Sequence, residues 1–372
     1  MRILTILAFV LLFPLPLSAQ VNIDTKALLE DYSRELFEAN AEGFMSPLVI
    51  VSNVGANDAF YNHAYIPRDN EFYFEISLRA MAAFVVDEER MFEAVLPLDN
   101  TPNPYDPISE FEQWSRVLQL NYFKAQLREA EVDGALKTRV NTATVFGGEG
   151  SGFVIPKEYL SANVQGIDSA TLASLPSQLA LTSGTNQNYV AAAVPQLTIG
   201  SLWNSEMLMR YIPPVVFDVN VGRFSFFGLA IKHAFTNWFD DPYFDAAVQA
   251  GFQHSTIDNE VGLTKAKLEA ETDLFAFNIH ASKRFGMIEP YVGVSYETLN
   301  SDGSYTFTLQ QNIKDEIGYD IDPQTVPVTL SDDALKATFG ITAHVGPLQF
   351  FASTGLTKHL IFSGGLVYRF EP

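Results

Sequence analysis

The sequence has no cysteine among its 372 residues. This excludes disulfides, thiolate nucleophiles, cysteine-ligated zinc and a lipid-modified N-terminal cysteine. Charge is sparse, at 18% of residues, and basic charge sparser still, with 23 Lys and Arg against 44 Asp and Glu. A formal net charge of -21 leaves no basic face for a phosphate backbone, so no nucleic-acid partner is expected. Long apolar runs are scarce too. Past the N-terminus no stretch reaches the roughly 18 consecutive apolar residues that mark a transmembrane helix.

What is there begins with a leader. MRILTILAFVLLFPLPLSAQ sets Arg2 before an apolar stretch from Ile3 to Phe13, then a proline break and Leu17-Ser18-Ala19. That is the pattern of a secretory signal peptide cleaved after Ala19. Its apolar core is short for a membrane span of about 20 residues. Residues 22–42 then place Leu28, Tyr32 and Leu36 four apart, with Leu29 and Phe37 beside them. The spacing predicts an amphipathic helix, capped by Asp24 or Thr25 and ended by Gly43. The segment that follows, to Asn70, is irregular and rich in Gly and Asn, yet not very polar. It suits burial inside a larger structure.

From Glu71 the period becomes two. Phe72, Phe74, Ile76, Leu78, Ala80, Ala82 and Phe84 fall on one face; Tyr73, Glu75, Ser77, Arg79 and Met81 fall on the other. Similar alternation returns from Pro195 to the chain end, with short links at Gly286-Met287, Gly346-Pro347 and Thr357-Lys358. The stretches Asp258 to Lys265 and Ser301 to Leu335 look like longer acidic links. Residues 97–188 are less regular. They hold a capping box at Ser109 and Glu112, a strand in TRVNTATVFGG, and a long external loop with short helices.

Two features distinguish a membrane barrel from a soluble sandwich. The second face carries mostly Gly, Ala, Ser, Thr, Asn and Gln with isolated charges, which suits a wet or plugged lumen. Aromatics (Tyr65, Trp203, Tyr211, Trp238, Tyr243, Tyr291, Tyr368) recur at strand ends, as in interfacial girdles. The expected fold class is all-β: a transmembrane antiparallel up-and-down barrel of about 12–14 strands, plugged by an N-terminal helical and irregular segment. The division is leader 1–19, helix and plug 20–69, barrel 70–372. Parity points Glu75, Arg79, Glu206, Arg210, Lys232, His280, Arg284 and Arg369 into the lumen. Such charges must be paired or wet. Phe44, Met45, Phe60 and Tyr61 are the plug candidates.

The runs PQLTIGSLWNSEMLMRYIPP, GLAIKHAFTNWFDDPYFDAAVQAGF and GGLVYRF resemble a family of uncharacterised bacterial outer-membrane barrels. In outline these are similar to the long-chain fatty-acid transporters. The resemblance implies an outer-membrane location, contact with outer-membrane lipid and the barrel-assembly machinery, and passive transport of small or hydrophobic solutes past an N-terminal hatch. The departure is Glu371-Pro372 after the aromatic end of the last strand. A surface protein with a closed lumen is the alternative, and a barrel-embedded hydrolase the third reading.

Catalysis is not expected. No nucleophile-elbow motif frames a serine, and the six histidines show no metal-binding spacing. GGEGSG at Gly147 lacks the lysine of a phosphate loop and reads as a turn. No catalytic residue, metal or cofactor is assigned.

Overall fold

A computed structural model of the protein describes residues 25–68, 71–98, 116–163, 172–173, 175–218, 222–261, 266–307 and 322–370. The leader over residues 1–19, the capping box at Ser109 and Glu112, residues 308–321 of the acidic link and the tail Glu371-Pro372 lie outside them.

The chain enters through one helix, α1 (Thr25–Ala56). It runs 14 residues beyond the predicted end at Glu42. Gly43 is not a stop: a β-carbon there would lie 2.5 Å from the ring of Phe92, so glycine serves close packing in mid-helix. Next come β1 (Tyr73–Phe84) and an excursion made of β2 (Met91–Val95), α2 (Arg116–Val132), β3 (Arg139–Ala143), β4 (Gly152–Val154), α3 (Lys157–Asn163) and β5 (Gln178–Ala180). Nine strands follow: β6 (Tyr189–Leu202), β7 (Ser205–Asp218), β8 (Gly222–His233), β9 (Asp245–Val261), β10 (Ala266–Ser282), β11 (Ile288–Phe307), β12 (Gln324–Val345), β13 (Leu348–Leu356) and β14 (Leu360–Phe370).

Strand β1 and strands β6 to β14 close an antiparallel barrel. Its seam pairs the first and last strands, Phe74 with Phe370 through Ala83 with Ile361. The barrel has ten strands, not the expected 12–14. The other four described strands form two separate two-stranded sheets, β2 with β3 and β4 with β5. The described parts of the presumed acidic links are strand: residues 258–261 belong to β9, 301–307 to β11 and 324–335 to β12.

Those long strands reverse their polarity part-way. On β10, Lys267, Glu269, Glu271 and Asp273 face outward while Leu268, Ala270 and Leu274 are buried. Below Asp273 the outward residues become Phe275, Phe277 and Ile279, and the inward ones Asn278, His280 and Ser282. Strand β12 repeats the change, from inward Val326, Val328 and Leu330 to inward Lys336, Thr338 and Thr342. On β14 the outward Leu360, Phe362, Leu366, Tyr368 and Phe370 span roughly 25 Å at about 3.3 Å per residue and about 40° tilt. That matches the apolar band of membrane barrels. No helix among the described residues is long and apolar enough to cross a membrane.

Two cores stack along α1. Phe37, Phe44, Met45, Leu48 and Val49 pack on the apolar upper wall, including Leu268, Leu299 and Val328. Nearer the N-terminus Tyr32 and Leu36 join Leu127, Phe153, Leu160 and Leu179 in a cap built from the excursion. The cap sits at the end opposite Phe370, because β1 leaves the barrel there at Phe84 and β6 returns at Tyr189.

Candidate functional site in the barrel lumen

The lower bore is filled by residues 57–68, which belong to no helix or strand. Polar side chains from around the wall hold this plug. Ala59, at a left-handed φ of 53°, turns its carbonyl to two arginines. Arg79 Nη1 and Arg210 Nη2 each donate to it at 2.6 Å. Arg210 Nη1 also donates to the Asp58 carbonyl at 3.0 Å, and its guanidinium lies 3.8 Å over the Phe60 ring. Charge-assisted bonds of this kind are about twice as strong as neutral ones.

Opposite charges meet throughout. Lys336 Nζ lies 2.6 Å from Glu297 and 3.2 Å from Asp58 of the plug. Ser363 donates to the same Asp58 carboxylate. Lys232 pairs with Glu206 at 2.6 Å, which also accepts from the Tyr73 hydroxyl. Arg369 pairs with Glu75 at 2.8 Å. His344 Nε2 meets Glu289 at 2.7 Å, and the other Glu289 oxygen accepts from Ser282. Ser282 in turn accepts from the Ala64 amide. Apolar and aromatic contacts finish the seal: Tyr61 stacks on His280 at 3.9 Å and meets Tyr291 edge-on.

One small cavity of about 10 Å³ remains beside the plug. Asn57, Asp58, Tyr61, Glu297 and Thr338 line it, and Asn57 Nδ2 and Glu297 Oε2 have no hydrogen-bond partner among the described residues. Its size and lining suit roughly one ordered water.

Most residues singled out by parity meet here. Glu75, Arg79, Glu206, Arg210, Lys232 and His280 are buried in the bore, and Arg369 is half-buried at its rim. Phe44 and Met45 are buried in the helix above; Phe60 and Tyr61 are buried in the plug. Arg284 is corrected: it is exposed on the turn after β10 and donates to the Gly286 carbonyl. Strand parity ends at Ser282, so the projection from it fails two residues later. Tyr291 is likewise inward rather than in the girdle, at 2% exposure. The reading missed Asp58, Asn62, Glu289, Glu297 and Lys336. Glu297 and Lys336 share parity with Ser295 and Thr338, and following that alternation upward would have found them. Asp58 has no local signal.

A family model described as "Family of unknown function (DUF6588)" matches residues 1–370. The chain belongs to that family. No curated protein matches it. Among solved structures, a BenF-like porin from Pseudomonas fluorescens Pf-5 aligns at 8% identity and a TM-score of 0.15, covering 83% of this chain and 100% of that one. OpdO of Pseudomonas aeruginosa aligns at 9% and 0.14, covering 81% and 96%. The outer membrane protein opdK of the same organism aligns at 9% and 0.12, covering 80% and 98%. Superpositions this weak carry no argument about fold or cargo; the barrel rests on its own strand register. Similarity to the fatty-acid transporters is not shown by these matches.

Outside the bore, a second cluster ties the cap to the barrel. Buried Glu89 meets His359 Nε2 and Lys358 Nζ, each at 2.7 Å. Burial pushes the Glu89 carboxyl up, but the hydrogen bonds from His359 and Lys358 more than offset this and hold it below the usual carboxylate range.

Proposed function

We propose that this chain is an outer-membrane β-barrel of the transport type, sealed at rest by its own N-terminal segment. Solute passes only when residues 57–68 swing aside. The observation that carries the reading is the construction of the seal. The bore is closed by a stretch without strand pairing, held by side chains from around the wall. A wall evolved to be solid has no need of a separable filler. The apolar outer band supports insertion into lipid, and outer-membrane lipid and the barrel-assembly machinery are the partners this implies. A small, hydrophobic solute remains our expectation for the cargo, on the apolar lining of the upper bore. We assign no catalysis.

The absence of native cysteine gives a clean test. Asp58 and Ser363 are in direct contact, so an Asp58→Cys, Ser363→Cys pair can lock the plug to β14. In liposomes, the reduced form should pass small apolar probes or ions and the oxidised form should not. If neither form passes any probe, and removal of residues 57–68 opens nothing, transport fails. The second reading, a surface protein with a permanently closed lumen, then stands. One observation favours it: α1 is built into the cores of both wall and cap, so the upper bore is not free to empty.

A further inference from the structure

The outer wall carries a groove of about 750 Å³ near the end where Phe370 lies. Its floor is the outward face of β10 to β12: Ile279, Ala281, Val292, Val294 and Phe339. Its side wall is the β8–β9 connection, through Phe239, Tyr243 and Phe244. That connection is pinned in place. The Thr236 hydroxyl donates to the Ala246 carbonyl at 3.1 Å and accepts from the Ala246 amide at 2.9 Å. The groove is therefore preformed, and its size falls in the range of small-ligand sites, about 300–1,000 Å³.

Beside the apolar floor, immediately after the end of β10 at Ser282, stands Lys283. Its ammonium lies 3.1 Å from the centroid of the Tyr243 ring, a groove residue. Arg284 is beside it and exposed. Among the described residues neither cation is in a salt bridge with a carboxylate. An apolar trough bordered by Lys283 through Tyr243, with exposed Arg284 next in the chain, has the polarity of an anionic lipid. We propose that this groove binds one anionic glycerophospholipid of the periplasmic leaflet. An acyl chain lies between the β8–β9 connection and Phe339, and the phosphate sits on Lys283 and Arg284. The proposal rests on the barrel being embedded in lipid.

The test compares retained lipid. Full-length protein in detergent is equilibrated with dioleoyl phosphatidylglycerol or dioleoyl phosphatidylcholine, and bound lipid is counted by native mass spectrometry. A cation near a lipid surface contributes roughly fivefold, so two should favour phosphatidylglycerol by about 30-fold. Lys283→Glu with Arg284→Glu should abolish the preference, and Ala281→Phe, which fills the trough, should abolish retention of both lipids. Heat-modifiable gel mobility confirms that each variant is folded. Should a variant fail to fold, quenching of Trp238 by a phosphatidylglycerol with brominated chains, in wild type, decides instead. Equal retention of the two lipids, an unchanged preference in the charge-reversed protein, or no more quenching than by brominated phosphatidylcholine overturns the site. A protein that is soluble without detergent overturns the underlying membrane reading, which is a different result from a folded barrel without lipid preference.

Discussion

Lys336→Met tests whether the plug network is a desolvated ionic core. Lys336 Nζ bridges Glu297 at 2.6 Å and Asp58 at 3.2 Å, and the three side chains are 4%, 5% and 1% exposed. Methionine keeps most of the stem and removes the ammonium with its hydrogen bond to the Asn57 carbonyl, leaving two buried carboxylates without their shared cation. Removing one partner of a buried pair costs about 3–5 kcal/mol. At about 1.4 kcal/mol per decade this is two to four decades in the folded-to-unfolded ratio. Adding Glu297→Leu removes one of the two widowed carboxylates, so the double variant should recover part of the loss, with a coupling energy of about 2 kcal/mol. Urea titration of protein in lipid vesicles, followed by tryptophan fluorescence and gel mobility, measures both. The reasoning is refuted if Lys336→Met lies within about 0.5 kcal/mol of wild type, because the site would then be as wet as a surface pair. It is also refuted if the second substitution adds to the loss.

Further outcomes follow from other contacts. Gly43→Ala should destabilise the protein by about 1–3 kcal/mol, because the new methyl meets the Phe92 ring at 2.5 Å in a packed core; the same urea titration reads it. Glu89, held below its ordinary range in the folded protein, stabilises the junction of cap and barrel above the ordinary carboxylate pKa of about 4. That contribution disappears as pH falls through the lowered value. Amide exchange around residues 86–98 should therefore accelerate in acid in wild type, and show no such step in Glu89→Gln. Tyr159, whose hydroxyl bonds Asp133 at 2.5 Å, has its pKa pushed up to about 12 by that bond. Its ultraviolet titration should return to the ordinary tyrosine range, near 10, in Asp133→Asn. Phe370→Ala removes the ring stacked 4.6 Å from Phe74 across the seam and should cost about 1 kcal/mol.

Much of the architecture could be read from period-two spacing. The seam strand from Tyr73, the terminal strand, and the inward placement of Glu75, Arg79 and Arg369 all follow from strict alternation. The rule fails where alternation changes meaning. Above Asp273 the strands are apolar inside and charged outside, as in a soluble sheet. Acids such as Asp258, Asp302 and Asp333 therefore looked like loop residues while sitting on strand faces. The strand count erred in the other direction: ten strands form the wall, and the one strand read between residues 97 and 188, in TRVNTATVFGG, belongs to the cap as β3. The plug's grip was least legible. Asp58 gains its role from Lys336 and Ser363, each far away in the chain, and no local pattern encodes such a meeting. The helix overran Gly43 because its partner there, Phe92, comes from beyond β1.

The seam has a consequence for how the protein is made. Glu75 and Arg369, which pair across it, stand 294 residues apart in the chain. Closing a loop of that length costs about 5 kcal/mol of chain entropy, recovered only when the first and last strands zip together. Residues 57–68 precede β1 in the chain, and wall side chains surround them. Once β14 has docked, they have no side entrance. The plug therefore reaches its contacts most directly while the sheet is still an open, curling ribbon. Its polar contacts then serve as a mandrel around which the later strands are laid down, with the seam as the final and slowest step.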